Sequence, residues 1–491
     1  MDRAELEQQC SVSIRRQLFW GGSWQEPLSL GRIPVENPAT GSSLGDVAEA
    51  GKPDVDRAVQ AARKAFDAWR DFVPRERSDL LRLCARRLRE NGSDLALIDA
   101  ADAGLPRKAM GADIENAARQ LEFFAGLVTE IKGETLPLGP SSLNYTVREP
   151  LGVVVRINAF NHPVMFAAGK VAAPLAAGNT VIIKPADQTP LSALALAEIW
   201  ADIFPPGVFN VLTGSRETGS MLVSHPDVAK VGLIGNVLTG EKVFRASADS
   251  MKKLTLELGG KNALIACPDA DPDSVADAAV LGMNLTWTAG QSCGSTSRVF
   301  LHDSIYDEVL EKLVSRIGGI KLGLPTDKQT EMGCLISREQ YEKVLGYIEK
   351  GRDDGARVVQ GGSRPDEAAL ADGYFIKPTV FADVTSDMRI AREEIFGPVV
   401  SVMRWSDEAD MLRDVNDLDY GLTASIWTND LSRAHRLAAR VQSGYIWVNS
   451  VGAHFLGAPF GGYKKSGLGR EESLEELFLN TQIKNVNIAM R

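Results

Sequence analysis

The chain has 491 residues, 44% of them hydrophobic and 24% charged, with a formal net charge of -10. That balance is ordinary for a folded globular protein, and an acidic surplus with no Lys/Arg block excludes a nucleic-acid surface. The length exceeds what one core can hold, and roughly 150 residues per domain implies about two to four units.

The N-terminal "MDRAELEQQCSVSIRRQLFW" is mixed in charge and has no apolar core, so no signal peptide is expected. No run approaches the roughly 18 apolar residues of a membrane helix, so no membrane partner is expected. In "PDVDRAVQAARKAFDAWRD" (53–71), Val55, Ala58, Val59, Ala62, Ala65, Phe66 and Trp69 recur at steps of three and four. Those steps make one helical face, and Pro53 followed by acids suits a helix start. A second helix is expected from about Arg75 to Leu88.

From Pro150 the pattern changes to short β-branched runs: "LGVVVRI", "TVIIK" (180–184), "VFNVL" (208–212), "AKVGLI" (229–234) and "KKLTLEL" (252–258). Helical stretches such as "LSALALAEIWADIF" (191–204) separate most of them. Apolar strands alternating with helices predict a parallel sheet covered on both faces, a frequent setting for a nucleotide. After "LGGK" (258–261) the alternation restarts with "NALIAC" (262–267), "RVFLH" (298–302), "PVVSVMRW" (398–405) and "YIWVN" (445–449). A second α/β domain is therefore expected to begin near residue 258. Two strand-like segments, "KGETLPLGPSSLNYTVRE" (132–149) and "FLNTQIKNVNIAM" (478–490), fit neither domain and need a partner. No internal repeat or low-complexity tract is evident.

The five cysteines, Cys10, Cys84, Cys267, Cys293 and Cys334, are far apart and odd in number. That predicts free thiols in a reducing compartment, hence a cytoplasmic protein. The five histidines, His162, His225, His302, His435 and His454, form no HExxH pair, and no CxxC exists, so no metal is expected. Of the cysteines, Cys293 stands out in "GQSCGSTSR" (290–298). Free cysteine usually fills buried space, but here small and polar neighbours would let a ligand approach the thiol. The same neighbours would suit a simple turn, and the residues alone leave both readings open.

Six motifs stand in order along the chain: "NAFNHP" (158–163), "KPADQTP" (184–190), "LELGGK" (256–261), "GQSC" (290–293), "EEIFGPV" (393–399) and "PFGGYKKSGLGRE" (459–471). In this set and spacing the sequence resembles the aldehyde dehydrogenases over nearly its whole length. The resemblance implies an α/β fold with a Rossmann-like cofactor domain, a second α/β catalytic domain and a small β oligomerisation arm. The expected boundaries are 1–131 with 150–257 for the NAD-binding domain and 258–465 for the catalytic domain. The arm and C-terminal strand would be 132–149 and 475–491. Pairing through that arm implies a homodimer or homotetramer.

The resemblance also assigns roles. Cys293 matches the nucleophile, attacking an aldehyde to form a thiohemiacetal and then a thioester. The Asn161 amide and the Cys293 N–H match the oxyanion donors, and Glu257 matches the general base that activates the hydrolytic water. NAD is the implied cofactor, with NADP possible. Lys184 and Glu394 would hold ribose hydroxyls, Asp187 the adenine ribose, and Phe396 would lie by the nicotinamide. "GNVLTG" (Gly235, Asn236 to Gly240) would receive the pyrophosphate at a helix start, with "GSRETG" (Gly214 to Gly219) as its companion turn.

The sequence departs from the common family pattern at three of these positions. Asn236 replaces a small hydroxyl residue, Phe160 stands where tryptophan is usual, and Asp187 is one methylene shorter than the usual acid. His162, Gly169, Trp287 and His454 match positions lining the aldehyde tunnel, where Gly169 would widen it. A roomy tunnel with an aromatic wall predicts bulky or aromatic aldehydes. The alternatives of the same fold are a dehydrogenase that acylates coenzyme A or one acting on a semialdehyde. A catalytically silent homologue would have lost at least one of Cys293, Asn161, Glu257 and Lys184.

Overall fold

The computed structural model describes residues 1–29 and 31–490. The periodic segment near residue 53 forms the helix Lys52–Trp69, which buries Val55, Ala58, Val59, Ala62, Phe66 and Trp69. The second helix runs Pro74–Glu90. Both carry a proline in the first turn, Pro53 and Pro74, whose fixed φ suits a position where no N–H partner is needed.

The β-branched runs assemble an eight-stranded sheet. Its order is Gly467–Leu468, Lys253–Glu257, Val228–Ile234, Val153–Ile157, Thr180–Lys184, Phe209–Val211, Leu18–Trp20 and Ser23–Gln25. The five middle strands are parallel, and the strands flanking them are antiparallel. Val153, Val154, Val155, Val181, Ile182 and Ile183 are fully buried because helices cover both faces. Burying one such side chain contributes about 1.5–3 kcal/mol, which accounts for the unbroken apolar runs.

The chain leaves this sheet at Glu257 and enters a seven-stranded sheet at Ala263. The order there is Arg357–Gln360, Thr379–Ala382, Val399–Trp405, Arg298–His302, Ala263–Ala266, Thr423–Trp427 and Tyr445–Val448. All pairs are parallel except Arg357–Gln360 with Thr379–Ala382. The two unassigned segments pair with each other: Thr481–Ala489 lies antiparallel to Ser142–Pro150, with Thr135–Leu136 on the far side. The mixed α/β architecture with parallel sheets is the fold class expected.

Register sets the position of the functional edge. Glu257 pairs with Ile234, Leu233 with Ile157, and Ile157 with Lys184. The carboxyl ends of four neighbouring parallel strands therefore align, which is where open α/β sheets bind ligands.

Candidate active site

The crossing between the two sheets, Leu258–Asn262, ties the site together. The Leu258 N–H donates to the Ser466 carbonyl (2.9 Å). The Gly260 N–H donates to Glu394 Oε1 (3.0 Å), and the Asn262 amide donates to the carbonyls of Cys293 (2.7 Å) and Ser295 (3.0 Å). A Cβ on Gly259 would lie 2.1 Å from Glu394 Oε2, and one on Gly260 would lie 2.7 Å from the Cys293 carbonyl oxygen. The two glycines of "LELGGK" are thus what lets Glu257, Glu394 and the cysteine loop converge.

The cysteine loop is held from below by Gln291. Its amide donates to the Thr288 carbonyl (3.1 Å) and accepts from the Ile336 N–H (3.0 Å). Gly290 has φ +74°, and a Cβ there would sit 2.4 Å from the Gly397 carbonyl oxygen. The loop therefore turns on a residue that only glycine suits, pressed against the segment carrying Glu394 and Phe396. Phe396 itself holds φ +58°, an uncommon conformation for an aromatic residue and one that marks a constrained position.

Glu257 is only 5% exposed, and its Oε1 has no partner. Burial, reinforced by the Glu471 carboxylate, pushes its pKa up to about 8, opposed by the neighbouring Cys293 thiol and by Lys170. Cys293 keeps part of its surface open. Protein nevertheless surrounds the sulfur closely enough that burial, with Glu257 next, pushes the thiol well above its ordinary value. At neutral pH the pair holds its protons, and Glu257 is the acceptor in reach of the sulfur. The Cys293 N–H donates to no protein group among the described residues. The Asn161 amide also lacks a protein partner, with its Oδ1 buried. Two donors without acceptors suit an oxygen that acquires charge during a reaction.

The cofactor candidates sit along the aligned strand ends. Lys184 is buried, and its ammonium donates only to the Pro185 carbonyl (3.1 Å). Burial lowers its pKa, opposed by Asp187, Glu49 and Glu217. Asp187 is exposed. Asn236 caps the helix Val237–Ala248 by accepting from the Thr239 N–H (2.8 Å). Among the described residues the Val237 and Leu238 N–H groups have no protein acceptor, as an anion-binding helix start requires. A Cβ on Gly240 would come within 2.5 Å of Leu258 Cδ1, so this glycine lets the helix pack on the strand end. Gly214 (φ +154°) packs on Thr218, where a Cβ would lie 2.1 Å from the hydroxyl, and Gly219 faces the Lys184 stem. A buried ammonium, unpaired helix N–H groups and glycines at close approaches fit a dinucleotide.

Among the tunnel candidates, His162 and Trp287 meet edge to face (5.8 Å between centroids), with Phe166 on the other flank of His162 (5.4 Å). His454 lies apart from them in the contacts it makes. It stacks on Tyr445, packs on Phe460 and bonds Glu472 (3.0 Å). Gly169 departs from its expected role. It is fully buried, and a Cβ there would meet Gln120 Oε1 at 2.3 Å. Gln120 fills the space that the missing side chain leaves, so this glycine opens no room in a tunnel.

Sequence reasoning missed three groups. Arg156 and Lys170 flank Glu471 (2.8 and 2.9 Å), and all three are buried beside Glu257. Asp113, fully buried, holds His162 and Trp287. Asp99 and Asp102, also fully buried, accept from the Val164 and Leu191 N–H groups at two helix starts. The available signal was a charge inside an apolar run, as in "LALIDAADA" and "VVVRI", which is costly unless paired.

Comparison with known proteins decides the family. The aldehyde dehydrogenase family profile matches residues 24–486. The chain belongs to the aldehyde dehydrogenase family. It is 51% identical over 486 residues to "Aldehyde dehydrogenase tropH" of Talaromyces stipitatus, covering 97% of this chain and 94% of that one. The NAD+ complex of aldehyde dehydrogenase from Bacillus cereus superposes with a TM-score of 0.94 at 39% identity over 97% of each chain. Betaine aldehyde dehydrogenase from Staphylococcus aureus in complex with NAD+ gives 0.95 at 32% identity, covering 100% of this chain and 98% of that one. The expected enzyme class, an oxidoreductase acting on aldehydes, is borne out with the family, as is its nicotinamide dinucleotide cofactor. Among the described residues, no helix of this aldehyde dehydrogenase is long and apolar enough to cross a membrane.

Proposed function

We propose that this aldehyde dehydrogenase oxidises an aldehyde to a carboxylic acid through a covalent intermediate on Cys293. The observation that carries the proposal is the Cys293 thiol standing beside the buried Glu257 carboxyl, close enough that each shifts the other's pKa. Glu257, ionised, takes the thiol proton, and the sulfur attacks the carbonyl carbon to give a thiohemiacetal. The Asn161 amide and the Cys293 N–H donate to the oxyanion, each such donor contributing about 3 kcal/mol. NAD, held by Lys184, Asp187 and Glu394 with Phe396 against the nicotinamide, would supply the hydride acceptor, so that the thiohemiacetal would become a thioester on Cys293. Once Glu257 has released the thiol proton to solvent, it removes a proton from the water that attacks the thioester and passes it to the departing sulfur, so that the acid leaves and the thiol is restored.

Lys184, Asp187 and Glu394 are the candidate holders of ribose hydroxyls, and Phe396 of the nicotinamide face. Gly214, Gly219, Gly235, Asn236 and Gly240 would shape the pyrophosphate site. Asp187 would accept from a 2′-hydroxyl and repel a 2′-phosphate, favouring NAD over NADP. The aromatic rings of His162, Trp287 and Phe166 support bulky or aromatic aldehydes as substrates. Phe160 against Phe396 (5.7 Å) adds to that surface.

The domains would follow the sheets, with 1–131 and 150–257 holding the cofactor, 258–465 the nucleophile, and 132–149 with 475–491 forming the arm. Exposed Leu136, Leu143, Ile483 and Ile488 on the three-stranded arm support a homodimer or homotetramer. Five unpaired cysteines support a cytoplasmic enzyme.

The test is oxidation of benzaldehyde with NAD, with and without coenzyme A, and identification of the product. Benzoate formed at the same rate in both supports the hydrolytic reading. Turnover that requires coenzyme A and yields the acyl thioester overturns it.

A further inference from the structure

His162 and Trp287 flank the candidate reacting residues in the sequence and come together in the fold: His162 follows Asn161, Trp287 lies six residues before Cys293, and their rings meet at 5.8 Å. Both are held by one carboxylate. Asp113, on the helix Arg107–Gly126, is fully buried. Its Oδ1 accepts from the Trp287 indole N–H (3.0 Å), and its Oδ2 lies 2.8 Å from His162 Nδ1.

An indole nitrogen can only donate, and an ionised carboxylate can only accept. Asp113 accepting at both oxygens therefore places a proton on His162 Nδ1. In the neutral ring that leaves Nε2 as a lone pair, and Nε2 makes no hydrogen bond among the described residues. The ring keeps 14% of its side-chain surface open, with Phe166 and Trp287 against it. Aromatic packing alone needs none of this. A phenylalanine at 162 would fill the space without a buried charge, whose desolvation costs several kcal/mol. The arrangement is explained if the imidazole has a polar task.

We propose that His162 is a specificity-determining residue whose Nε2 accepts a hydrogen bond from a hydroxyl on the substrate ring, with Asp113 as the positioning residue that fixes its tautomer. The favoured substrate class is then an aromatic aldehyde bearing a ring hydroxyl. This rests on the aromatic reading of the substrate above and narrows it. An aldehyde carrying a carboxylate is disfavoured, because a bare lone pair next to Asp113 offers it no donor.

The test compares kcat/KM for 2-, 3- and 4-hydroxybenzaldehyde, each relative to the matching methoxybenzaldehyde. Methoxy retains the electron donation but removes the O–H. Taking that ratio again between wild type and a variant cancels the intrinsic reactivity of the aldehydes. In wild type at least one hydroxy isomer should exceed its methoxy partner by about tenfold, mostly through KM, because the contact is remote from the reacting carbon. In His162→Phe the hydroxy-to-methoxy ratio should fall by about tenfold, whatever the change in kcat/KM for benzaldehyde itself.

Asp113→Asn should act through the tautomer. An asparagine that still accepts from Trp287 donates its amide N–H to His162 Nδ1, moving the ring proton to Nε2. The hydroxyl preference should then fall and methoxy aldehydes gain, which loss of structure alone would not produce. Should Asp113→Asn fail to fold, His162→Phe and Trp287→Phe still decide. His162→Phe must lose the preference, and Trp287→Phe, which leaves His162 on Asp113, must keep most of it. Equal losses on every aldehyde in His162→Phe, no hydroxyl preference in wild type, or a preference for formylbenzoate would each overturn the proposal. Benzaldehyde oxidised without hydroxyl preference overturns this device alone; failure on all ring aldehydes overturns the aromatic reading as well.

Discussion

The thiol of Cys293 stands beside the carboxyl of Glu257 in a site where burial raises the pKa of both and each raises or lowers the other's. Neither group is charged at neutral pH in the resting enzyme, so ionising Glu257 arms the pair.

This has a consequence for pH. Glu257 sits at about 8, well above the ordinary carboxylate range, so its base form grows as pH rises through that value. If Glu257 activates the deacylating water, kcat should climb roughly tenfold per unit below pH 8 and level off above it. The Glu471 carboxylate is one cause of the elevation, so Glu471→Gln should move the limb to lower pH. Because that change leaves Arg156 and Lys170 without their buried partner, a cost of about 3–5 kcal/mol and a lower Tm should accompany it. A kcat flat from pH 6 to 9 would contradict the assignment.

Gly290 supports the cysteine loop in a left-handed conformation against Gly397. Gly290→Ala adds about 1–2 kcal/mol of backbone strain and a collision with the Gly397 carbonyl. Activity should fall at least tenfold at temperatures where the protein remains folded by circular dichroism. Wild-type kcat in this variant would show that the loop position is not what arms Cys293.

Cofactor choice is expected to follow Asp187. The wild type should show higher kcat/KM with NAD than with NADP, and Asp187→Ser should raise NADP use by removing a negative charge near the 2′-position. A wild-type preference for NADP would remove Asp187 from this role.

Substrate size follows from the rings around His162. A phenyl group gains about 0.8 kcal/mol per methylene-sized contact, so kcat/KM for benzaldehyde or phenylacetaldehyde should exceed that for acetaldehyde at least about tenfold. Because Gln120 fills the space beside Gly169, Gly169→Trp is expected to lower Tm and depress activity on large and small aldehydes alike. A wild-type preference for acetaldehyde would contradict the aromatic wall.

Much of the fold was legible because its strands are buried on both faces. "VVVRI" and "TVIIK" carry few polar interruptions, and the structure places them as Val153–Ile157 and Thr180–Lys184. Short strands at the sheet margins, such as Leu18–Trp20 and Thr379–Ala382, gave no comparable run and depend on their neighbours. The two stranded segments that lacked a partner pair with each other, a contact between residues more than 300 positions apart that no local pattern encodes.

The candidate reacting residues stand out in the sequence because glycine and small-residue motifs surround them. Supporting residues were not: Asp113 sits on a helix far upstream, and its meaning depends on His162 and Trp287 arriving beside it. Gly169 misled for the same reason, since only the fold shows Gln120 filling its space.

The most direct test of the central claim is rapid mixing of wild type, Cys293→Ala and Glu257→Gln with NAD and benzaldehyde, following NADH from the first milliseconds. Cys293→Ala should bind NAD and form no NADH. Glu257→Gln should release about one equivalent of NADH per site and then turn over far more slowly than wild type, with the acyl group held on Cys293. The burst itself should be slower than in wild type, because Glu257 also takes the thiol proton. Turnover by Cys293→Ala, or wild-type steady-state rates in Glu257→Gln, would contradict the account.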